Sequence, residues 1–175
     1  MTQSAIITRP ATGQDLAAIT ALQARVFGPG RFARSAYRVR EGKGLMSRFC
    51  RVANRNGSLI ASLRITEVTI GGTPGAALLG PIAVDPDFRG KGCGRQLVAE
   101  ALEDLKSAGF ALVVLVGDEP YYGRFGFKPV PFRSIMFPGP VNPARVLAAE
   151  LEPGALARYQ GLVAAAPADN GDGAA

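Results

Sequence analysis

Apolar residues in the first half of the chain alternate between helical and strand spacing. Residues 5–11, "AIITRPA", predict a first strand that ends at Pro10. A helix should follow, starting near Thr12 or Asp15, because its apolar positions recur every three to four residues. That helical stripe comprises Leu16, Ile19, Leu22 and Val26. The less periodic segment 29–44 predicts a short helix between glycine-rich ends.

The middle of the chain is typical of strands. Asn56-Gly57 lies between two strand-like runs and predicts a hairpin. In the second run an alternating set shares one face, so Glu67 is expected on the apolar side of its strand. That set is Leu59, Ala61, Leu63, Ile65 and Glu67. A glycine- and proline-rich turn then leads to a further strand, "TPGAALLGPIAV".

A strand, a helix and a second strand follow in order. The helix "GRQLVAEALEDLKSAG" has one apolar stripe and a glycine, Gly109, where a helix C-terminus favours it. The strand "FALVVLVG" is a continuous apolar run, typical of a strand buried on both faces. The two strands are therefore expected to be parallel, joined by a right-handed crossover. Segments 130–139 and 144–157 predict short strands and a turn.

These elements predict one α/β domain at residues 1–163, with residues 164–175 as a disordered tail. The chain has 175 residues, of which 47% are hydrophobic and 19% charged, as in globular proteins. No apolar run approaches the ~20 residues that span a bilayer. The first residues lack the pattern of a signal peptide, so we expect a cytoplasmic protein.

Composition restricts the chemistry. The chain has no histidine, which excludes Ser-His-Asp and Cys-His catalysis and histidine-ligated metals. The two cysteines, Cys50 and Cys93, form no CxxC pair, so neither a metal site nor a disulfide framework is predicted. Carboxylates, tyrosines, backbone amides or water have to perform any reaction.

The net charge of +6 comes mostly from arginine. Nine basic residues and a single acid, Glu41, lie between Arg25 and Arg55. This segment predicts a positive face, either merely solvated or directed at an anionic partner. It contains no nucleic-acid recognition motif, so nucleic-acid binding is not favoured.

A glycine loop follows the strand that contains Gly80-Pro81. Gly90, Gly92 and Gly94 alternate with basic side chains at a predicted helix start, where free amides and the helix dipole attract anions. The sequence is neither a Walker motif nor GxGxxG. Proline lacks the N–H for a ladder bond, so Pro81 indicates that its strand parts from a neighbour there. Strand and loop together would hold one long ligand with amides at one end and phosphates at the other.

That pattern resembles the acetyl-CoA motif of the GNAT superfamily of N-acetyltransferases. "IAVDPDFRGKGCGRQL" matches its Arg-x-x-Gly-x-Gly turn at Arg89, Gly92 and Gly94, and "YYGRFGF" matches its second motif. Within the superfamily, the chain is most similar to YhbS-type bacterial acetyltransferases over about residues 5–160. The resemblance implies a mixed, mostly antiparallel sheet with a central βαβ unit, splayed between strands 4 and 5, with helices on both faces.

The resemblance also implies roles for individual residues. The backbones of Ile82, Ala83 and Val84 would pair with pantetheine. The diphosphate would be wrapped by the loop, that is, by Arg89, Gly90, Lys91, Gly92, Cys93, Gly94 and Arg95. Tyr122 would protonate the departing thiolate, although the adjacent Tyr121 is an alternative. Cys93 occupies a variable position between two glycines, where packing explains it better than nucleophilic chemistry does.

Two departures from the family pattern affect the acceptor side. The strand that often contributes a catalytic glutamate has no acid here, so Glu67 is the best substitute, with Asp118 and Glu119 next. The family's usual asparagine near the second motif is also missing, and Gly117-Asp118 occupies that region.

The resemblance therefore implies an N-acetyltransferase that uses acetyl-CoA and no metal, acting on a small-molecule or peptide amine in a ternary complex. Two alternatives remain. One is an acyltransferase with a longer donor, delivered on CoA or by an acidic carrier protein docked on the basic segment. The other is a non-catalytic sensor of acyl-CoA. A homodimer is compatible with all three functions.

Overall fold

The computed structural model describes residues 4–30, 35–40 and 47–167, and these contain a nine-stranded sheet. Its strands are β1 (Ile7–Pro10), β2 (Arg51–Arg55), β3 (Ser58–Ile70), β4 (Thr73–Val84), β5 (Leu112–Val116), β6 (Lys128–Pro129), β7 (Ile135–Met136), β8 (Val146–Glu150) and β9 (Gly161–Ala165). The main path runs β1-β2-β3-β4-β5-β8-β6, and β9 joins the far end of β3 to β7. Among these strands, pairing is parallel at β4–β5 and β7–β9 and antiparallel elsewhere. The predicted mixed, mostly antiparallel fold is confirmed.

Helices cover both faces of the sheet. The α-helices are α1 (Leu16–Phe27), α2 (Ser35–Arg40), α3 (Cys93–Ser107) and α4 (Glu119–Tyr122). Short 3-10 turns occupy Gly13–Asp15, Pro86–Phe88, Gly123–Phe125, Pro143–Arg145 and Ala155–Arg158. No helix in these described ranges is long and apolar enough to cross a membrane.

The turn residues have the backbone conformations that the sequence predicted. Asn56 and Gly57 have φ values of 52° and 76°, so both adopt the left-handed conformation of a two-residue hairpin between β2 and β3. Gly109, with φ of 89°, follows the end of α3, where its N–H donates to the Lys106 carbonyl.

Helix α1 begins after a short 3-10 turn, and both predicted starting residues take part. Asp15 accepts a hydrogen bond of 2.7 Å from the Thr12 N–H and forms an ion pair with Arg9. Of the predicted stripe, Ile19 and Leu22 are buried, whereas Leu16 is 40% exposed. The predicted apolar stripe is therefore confirmed in the middle of α1, whereas its first residue, Leu16, is not part of the core.

The sheet separates two hydrophobic cores. One face packs on α3 and includes Ala61, Leu63 and Ile65 of β3 with Leu97 and Leu105 of the helix. The opposite core draws on the other side of the same strands and on the C-terminal segments; it includes Val68, Ile70, Leu78, Leu112, Val114, Val146 and Val163. Strand β5 contributes to both cores, which explains why it reads as a continuous apolar run.

Strands β4 and β5 part from each other half-way along β4. They pair only from Ala76↔Leu112 to Leu78↔Val114, whereas β4 continues to Val84 on its other neighbour, β3. The β3–β4 register shifts between Leu63↔Ile82 and Ile65↔Leu79, so β4 has one extra residue at Gly80-Pro81. The β5-facing edge of β4 therefore lies free of described strands after Leu78, as the splayed sheet required.

Helix α3 is tied to the edge of the sheet by a polar network. Arg51 on β2 contacts Glu100 and Asp104 of the helix at 2.9 Å each, and Thr8 on β1 donates to Glu100 at 2.7 Å. The hydrogen bond from Thr8 and the Arg51 guanidinium keep the pKa of Glu100 below its ordinary value despite the opposing effect of burial. The network fixes the orientation of the helix that carries the glycine loop.

The ends of the predicted domain differ from the sequence expectation in one detail. Ala164 and Ala165, assigned to the tail from residue 164, pair with Thr69 and Val68 as part of β9. Ala164 and Ala165 therefore belong to the sheet. The tail from residue 168 lies outside the described residues, as do the flanks of the short helix predicted at 29–44, of which α2 is the described part.

Candidate functional site

The loop after β4 exposes its backbone. Asp85 accepts a 3.0 Å hydrogen bond from the Asp87 N–H and starts the 3-10 turn that leads into the loop. Gly90 and Gly92 have φ values of 77° and 80°, a left-handed conformation that favours glycine. A Cβ atom added at either residue would meet nothing within 4 Å. No side chain therefore shields this stretch of backbone from a ligand.

The start of α3 is an anion-binding feature next to these glycines. Gly92 caps the helix without any side-chain hydrogen bond, so the first amides lack the acceptors that a helix interior supplies. Arg89, Lys91 and Arg95 are exposed around it and form no ion pair within the described residues. Free amides, a helix dipole and mobile positive charge act at one place.

A cleft of about 250 Å³ opens at this helix start. Its walls are formed by the end of β4, the glycine loop and Tyr121 of α4; they comprise Val84, Phe88, Arg89, Gly90, Gly92, Cys93, Gly94, Arg95 and Tyr121. A Cβ at Gly94 would lie 3.4 Å from the Tyr121 hydroxyl and 3.6 Å from Val84 Cγ2. The absence of a side chain at Gly94 thus lets α3 approach Tyr121 and β4 closely.

A second, smaller cavity of about 80 Å³ lies where β4 leaves β5. It is lined by Ala36, Leu78, Leu79, Gly80, Pro81, Ile82, Val116 and Tyr122. Ala36 and Val116 pack with the core opposite α3, whereas Ile82 and Tyr122 pack with the core beneath α3. The opening between the strands is therefore bounded by residues from both faces of the sheet.

The two neighbouring tyrosines point to different cavities. Tyr121 lines the glycine-loop cleft, whereas Tyr122 lines the opening between the strands. Their rings meet edge to face at a centroid distance of 4.8 Å, and Tyr122 makes a similar contact with buried Phe127 at 5.9 Å. The structure thus places Tyr122 at the opening beside Gly80–Ile82, and Tyr121 further along the free edge of β4, beside Val84.

Gly117 is a site residue that the sequence reading noted only as a departure from the family pattern. It follows β5, and a Cβ added there would lie 2.5 Å from Tyr122 Cε2 and 3.0 Å from Tyr122 Cδ2. No real Cβ tolerates such a distance, so glycine is what lets the Tyr122 ring lie against the end of β5. The signal in the sequence was a glycine directly after a buried strand and five residues before the tyrosine.

The resemblance implies that Tyr122 is the proton donor. On that hypothesis, we expect Gly117→Ala to displace the Tyr122 ring and reduce turnover about 10-fold or more, because a displaced donor transfers its proton less efficiently. Gly123→Ala is the matched control: Gly123 lies next to Tyr122, and a Cβ there meets nothing within 4 Å. Steady-state kinetics of the two variants measure the difference. Equal activity in both would contradict the positioning role of Gly117.

Two groups of predicted residues lie outside these cavities. Glu67 is exposed and lines a separate groove with Gly75, Phe110 and Ala166, and it pairs with Ala77, three residues before the opening at Gly80. Asp118 and Glu119 are exposed at the start of α4, where Asp118 contacts Arg145 at 3.3 Å. The structure does not bring any of the three carboxylates to the walls of either cavity.

The basic segment from Arg25 to Arg55 does not form one positive face in its described part. Arg25 contacts Asp85 at 3.5 Å, Arg51 joins the α3 network, and Arg55 stacks on Phe88 at 5.5 Å. Arg40 instead turns towards Gly80, where its Nη1 donates to the carbonyl at 3.3 Å. Arg31, Arg34 and Lys43 lie outside the described residues.

Cys93 is 3% exposed and belongs to the core beneath α3. Its side chain packs against apolar neighbours at the base of the helix. This placement agrees with the packing interpretation of Cys93.

The free edge of β4 leads to helix amides without side-chain acceptors and to exposed basic side chains. This arrangement is suited to a long ligand with an amide-bearing arm and a phosphate group. Residues 8–130 match the model of the acetyltransferase (GNAT) domain family. The chain belongs to this family of acyltransferases, which confirms the resemblance drawn from the two motifs.

Individual relatives agree with this assignment. The uncharacterized N-acetyltransferase YhbS of Escherichia coli K12 is 50% identical over 50 residues, a segment that covers 29% of this chain and 30% of that protein. YjhQ, an uncharacterized N-acetyltransferase from the same organism, is 28% identical over 118 residues, covering 66% of this chain and 65% of YjhQ. The match thus spans less than two thirds of either curated relative.

Solved structures match over nearly the whole chain. The YhbS crystal structure in complex with CoA has a TM-score of 0.78 and 29% identity, covering 95% of this chain and 92% of that one. A GNAT family acetyltransferase from Brucella melitensis in complex with acetyl-CoA has a TM-score of 0.69 and 29% identity, covering 94% of this chain and 97% of that one. Both neighbours therefore share the fold and hold CoA or acetyl-CoA.

Proposed function

We propose that this protein transfers the acetyl group of acetyl-CoA to a primary amine by direct attack in a ternary complex. The observation that carries the proposal is the arrangement of two cavities along one strand. The opening at Gly80–Ile82 and the cleft at Val84–Arg95 lie at successive points of the same free β4 edge. Two structural neighbours were solved in complex with CoA and with acetyl-CoA, which supports acetyl-CoA as the donor.

The donor would lie extended along β4. Its diphosphate would accept hydrogen bonds from the bare amides at Gly90, Gly92 and the start of α3, assisted by Arg89, Lys91 and Arg95. Its pantetheine amides would pair with the backbone of Ile82, Ala83 and Val84, which β5 leaves free. Cys93 and Gly94 would contribute backbone to the cleft wall while their side-chain positions stay packed.

The acyl group would then sit in the opening between β4 and β5. A cavity of about 80 Å³ favours a short acyl group such as acetyl over a long chain. The amine nitrogen would attack the thioester carbon, forming the C–N bond while a backbone N–H near Ile82 stabilises the oxyanion. The C–S bond would break, and Tyr122 would give its phenolic proton to the leaving thiolate.

The attacking nitrogen has to lose a proton before or during this step. The described walls of both cavities contain no carboxylate. Glu67, the candidate base from the sequence, lies roughly 10 Å along the strand from Gly80 at ~3.3 Å per residue. We therefore propose that the proton leaves through water, and that Glu67 is not in direct contact with the amine.

Two other functions remain as outcomes of the test. A longer acyl group, attached to CoA or to a carrier protein, would use the same loop but would need a wider opening at Gly80. A sensor of acyl-CoA would bind without turnover. Exposed Arg25 and half-buried Arg55 flank a groove of about 670 Å³ beside Phe88, which is where an acidic carrier would make contact.

Release of free thiol from acetyl-CoA, measured with a panel of primary amines, tests the proposal. We expect steady release with at least one amine and equal amounts of thiol and acetylated product. Release only from long acyl-CoA or acyl carrier protein would favour the alternative donor. Calorimetric binding of acetyl-CoA without turnover across the panel would favour the sensor.

A further inference from the structure

A polar cluster lies beside the opening between β4 and β5, on the face of the sheet opposite α3. Ser62, Arg64 and Thr66 alternate along β3 on that face, between the apolar residues that pack beneath α3. Arg64 falls between Leu63, which pairs with Ile82, and Ile65, which pairs with Leu79. Its position in the register is therefore opposite the extra residue of β4 at Gly80-Pro81.

A second arginine approaches the same point from α2. Arg40 Nη1 donates to the Gly80 carbonyl at 3.3 Å, and its guanidinium lies 4.9 Å from the centroid of the Tyr37 ring. Ala36, one helical turn before Arg40, lines the opening itself. Arg40 and Arg64 thus converge next to the position of the acyl group in the proposed function.

These two positive charges lack an acidic counterpart in the described part of the chain. Neither forms an ion pair there, whereas Arg9, Arg51 and Arg158 each do. Burial, and after it repulsion from Arg64, lowers the pKa of Arg40 to about 10. Arg40 therefore remains charged at neutral pH, and repulsion from Arg64 destabilises its charged form.

Polar side-chain atoms on this face of β3 are buried without partners. Arg64 Nε, Ser62 Oγ and Thr66 Oγ1 have no hydrogen-bond partner within the described residues. Ser62 is 0% exposed. Buried polar groups are almost always paired, because each unpaired one is destabilising by ~1–3 kcal/mol. Two like charges beside unpaired polar groups favour an anion as the missing partner.

We propose that this cluster binds a carboxylate of the acceptor, so that the substrate class is amines that carry a carboxylate. The inference rests on the proposed function for the identity of the ligand as an acceptor. Arginine suits a carboxylate because its planar guanidinium can donate two parallel hydrogen bonds to the two oxygens. Ser62 and Thr66, on the same face of β3, supply further hydrogen-bonding groups beside Arg64.

The position of the cluster assigns it to the acceptor and not to the phosphates of the donor. The glycine loop begins after Val84, which lies roughly 13 Å along β4 from Gly80 at ~3.3 Å per residue. The loop belongs to the α3 side, whereas Arg40 comes from α2 and Arg64 lies on the face away from α3. Two separate positive sites therefore serve two separate anions, one on each substrate.

Calorimetry with product-like pairs tests the site without requiring turnover. N-acetylglycine and N-acetylleucine are titrated into the CoA-saturated protein and into the free protein, beside their uncharged amides. We expect at least one acid to bind about 10- to 100-fold more tightly than its amide, the range for charge-assisted hydrogen bonds. Equal binding of acids and amides, or no binding of either, would overturn the proposal.

Variants of Arg64 test whether this residue causes the preference for the acid over its amide. Arg64→Gln should abolish the preference for the acid and leave acetyl-CoA affinity unchanged, whereas Arg64→Lys should keep part of it. Arg158→Gln is the control, because Arg158 is exposed and paired with Glu152 away from the site. Arg64→Gln should not lower the free energy of unfolding, since it removes a like-charge repulsion. Lower stability with an unchanged preference would show a purely structural role for Arg64.

The amine panel separates this inference from the proposed function. If amino acids are acetylated no faster than their amides by a protein that does turn over acetyl-CoA, the carboxylate site is wrong and the acetyltransferase assignment stands. If no amine is acetylated but the acids still bind in an Arg64-dependent way, the site stands and the proposed function fails.

Discussion

Gly92→Val is expected to weaken acetyl-CoA binding about 100-fold or more while leaving the fold intact. Gly92 caps α3 in a left-handed conformation, and the space in front of it is empty of protein atoms. A valine side chain would occupy the space where the diphosphate is proposed to meet the helix amides. Loss of two charge-assisted hydrogen bonds at ~1.5–3 kcal/mol each accounts for an effect of this size. Isothermal calorimetry with acetyl-CoA measures it.

The same helix provides a control for backbone strain. Gly109, at the other end of α3, also has a left-handed φ of 89°, and a Cβ there likewise meets nothing within 4 Å. Gly109→Val should therefore suffer a similar strain, ~1–2 kcal/mol, without touching the loop. Thermal unfolding of both variants, compared with their affinities, separates strain from loss of the site. Unchanged acetyl-CoA affinity in folded Gly92→Val protein would refute the diphosphate assignment.

Tyr122→Phe should lower kcat about 100-fold and change acetyl-CoA affinity little. The ring would keep its edge-to-face contacts with Tyr121 and Phe127, so the substitution removes the hydroxyl group and leaves the ring in place. General acid catalysis typically contributes 10²–10⁴-fold, and a group that acts mainly in the transition state affects kcat more than binding. Steady-state kinetics and calorimetry on the same preparation measure the two effects.

Tyr121→Phe is the matched control because it removes the neighbouring hydroxyl, which faces Gly94 and the glycine-loop cleft. It should alter acetyl-CoA affinity or leave both parameters unchanged, but should not reproduce the loss of kcat. A full rate in Tyr122→Phe, or a larger loss in Tyr121→Phe, would transfer the donor role away from Tyr122.

Local signals were sufficient to predict most of the fold. Asn56-Gly57 determined one hairpin, the stripe on α3 determined a helix with one buried face, and Gly109 marked its end. Each of these depends on neighbours in the sequence, so no tertiary information was needed. Glu67 shows the limit of such reasoning. The alternation correctly predicted that Glu67 shares a face of β3 with Ile65. Glu67 lies past the last core residue on that face, however, and its neighbours there come from other segments, here Phe110 and Ala166.

The donor side of the site was likewise readable because one continuous segment supplies it. Loop, helix start and strand edge all lie between Gly80 and Arg95. The acceptor side could not be read in this way. Arg40 and Arg64 come from two elements, and only the position of α2 and the register between β3 and β4 bring them near Gly80. Gly117 was overlooked because its importance depends on the ring of Tyr122, which no spacing rule specifies.

The opening between β4 and β5 is bounded by Ala36 and Val116 on one face of the sheet and by Ile82 and Tyr122 on the other. In the proposed function, this arrangement would let the donor and the acceptor approach the thioester from opposite faces of the sheet. Neither substrate would then block the other, so no fixed order of binding would be required. CoA and the acetylated product would likewise leave independently.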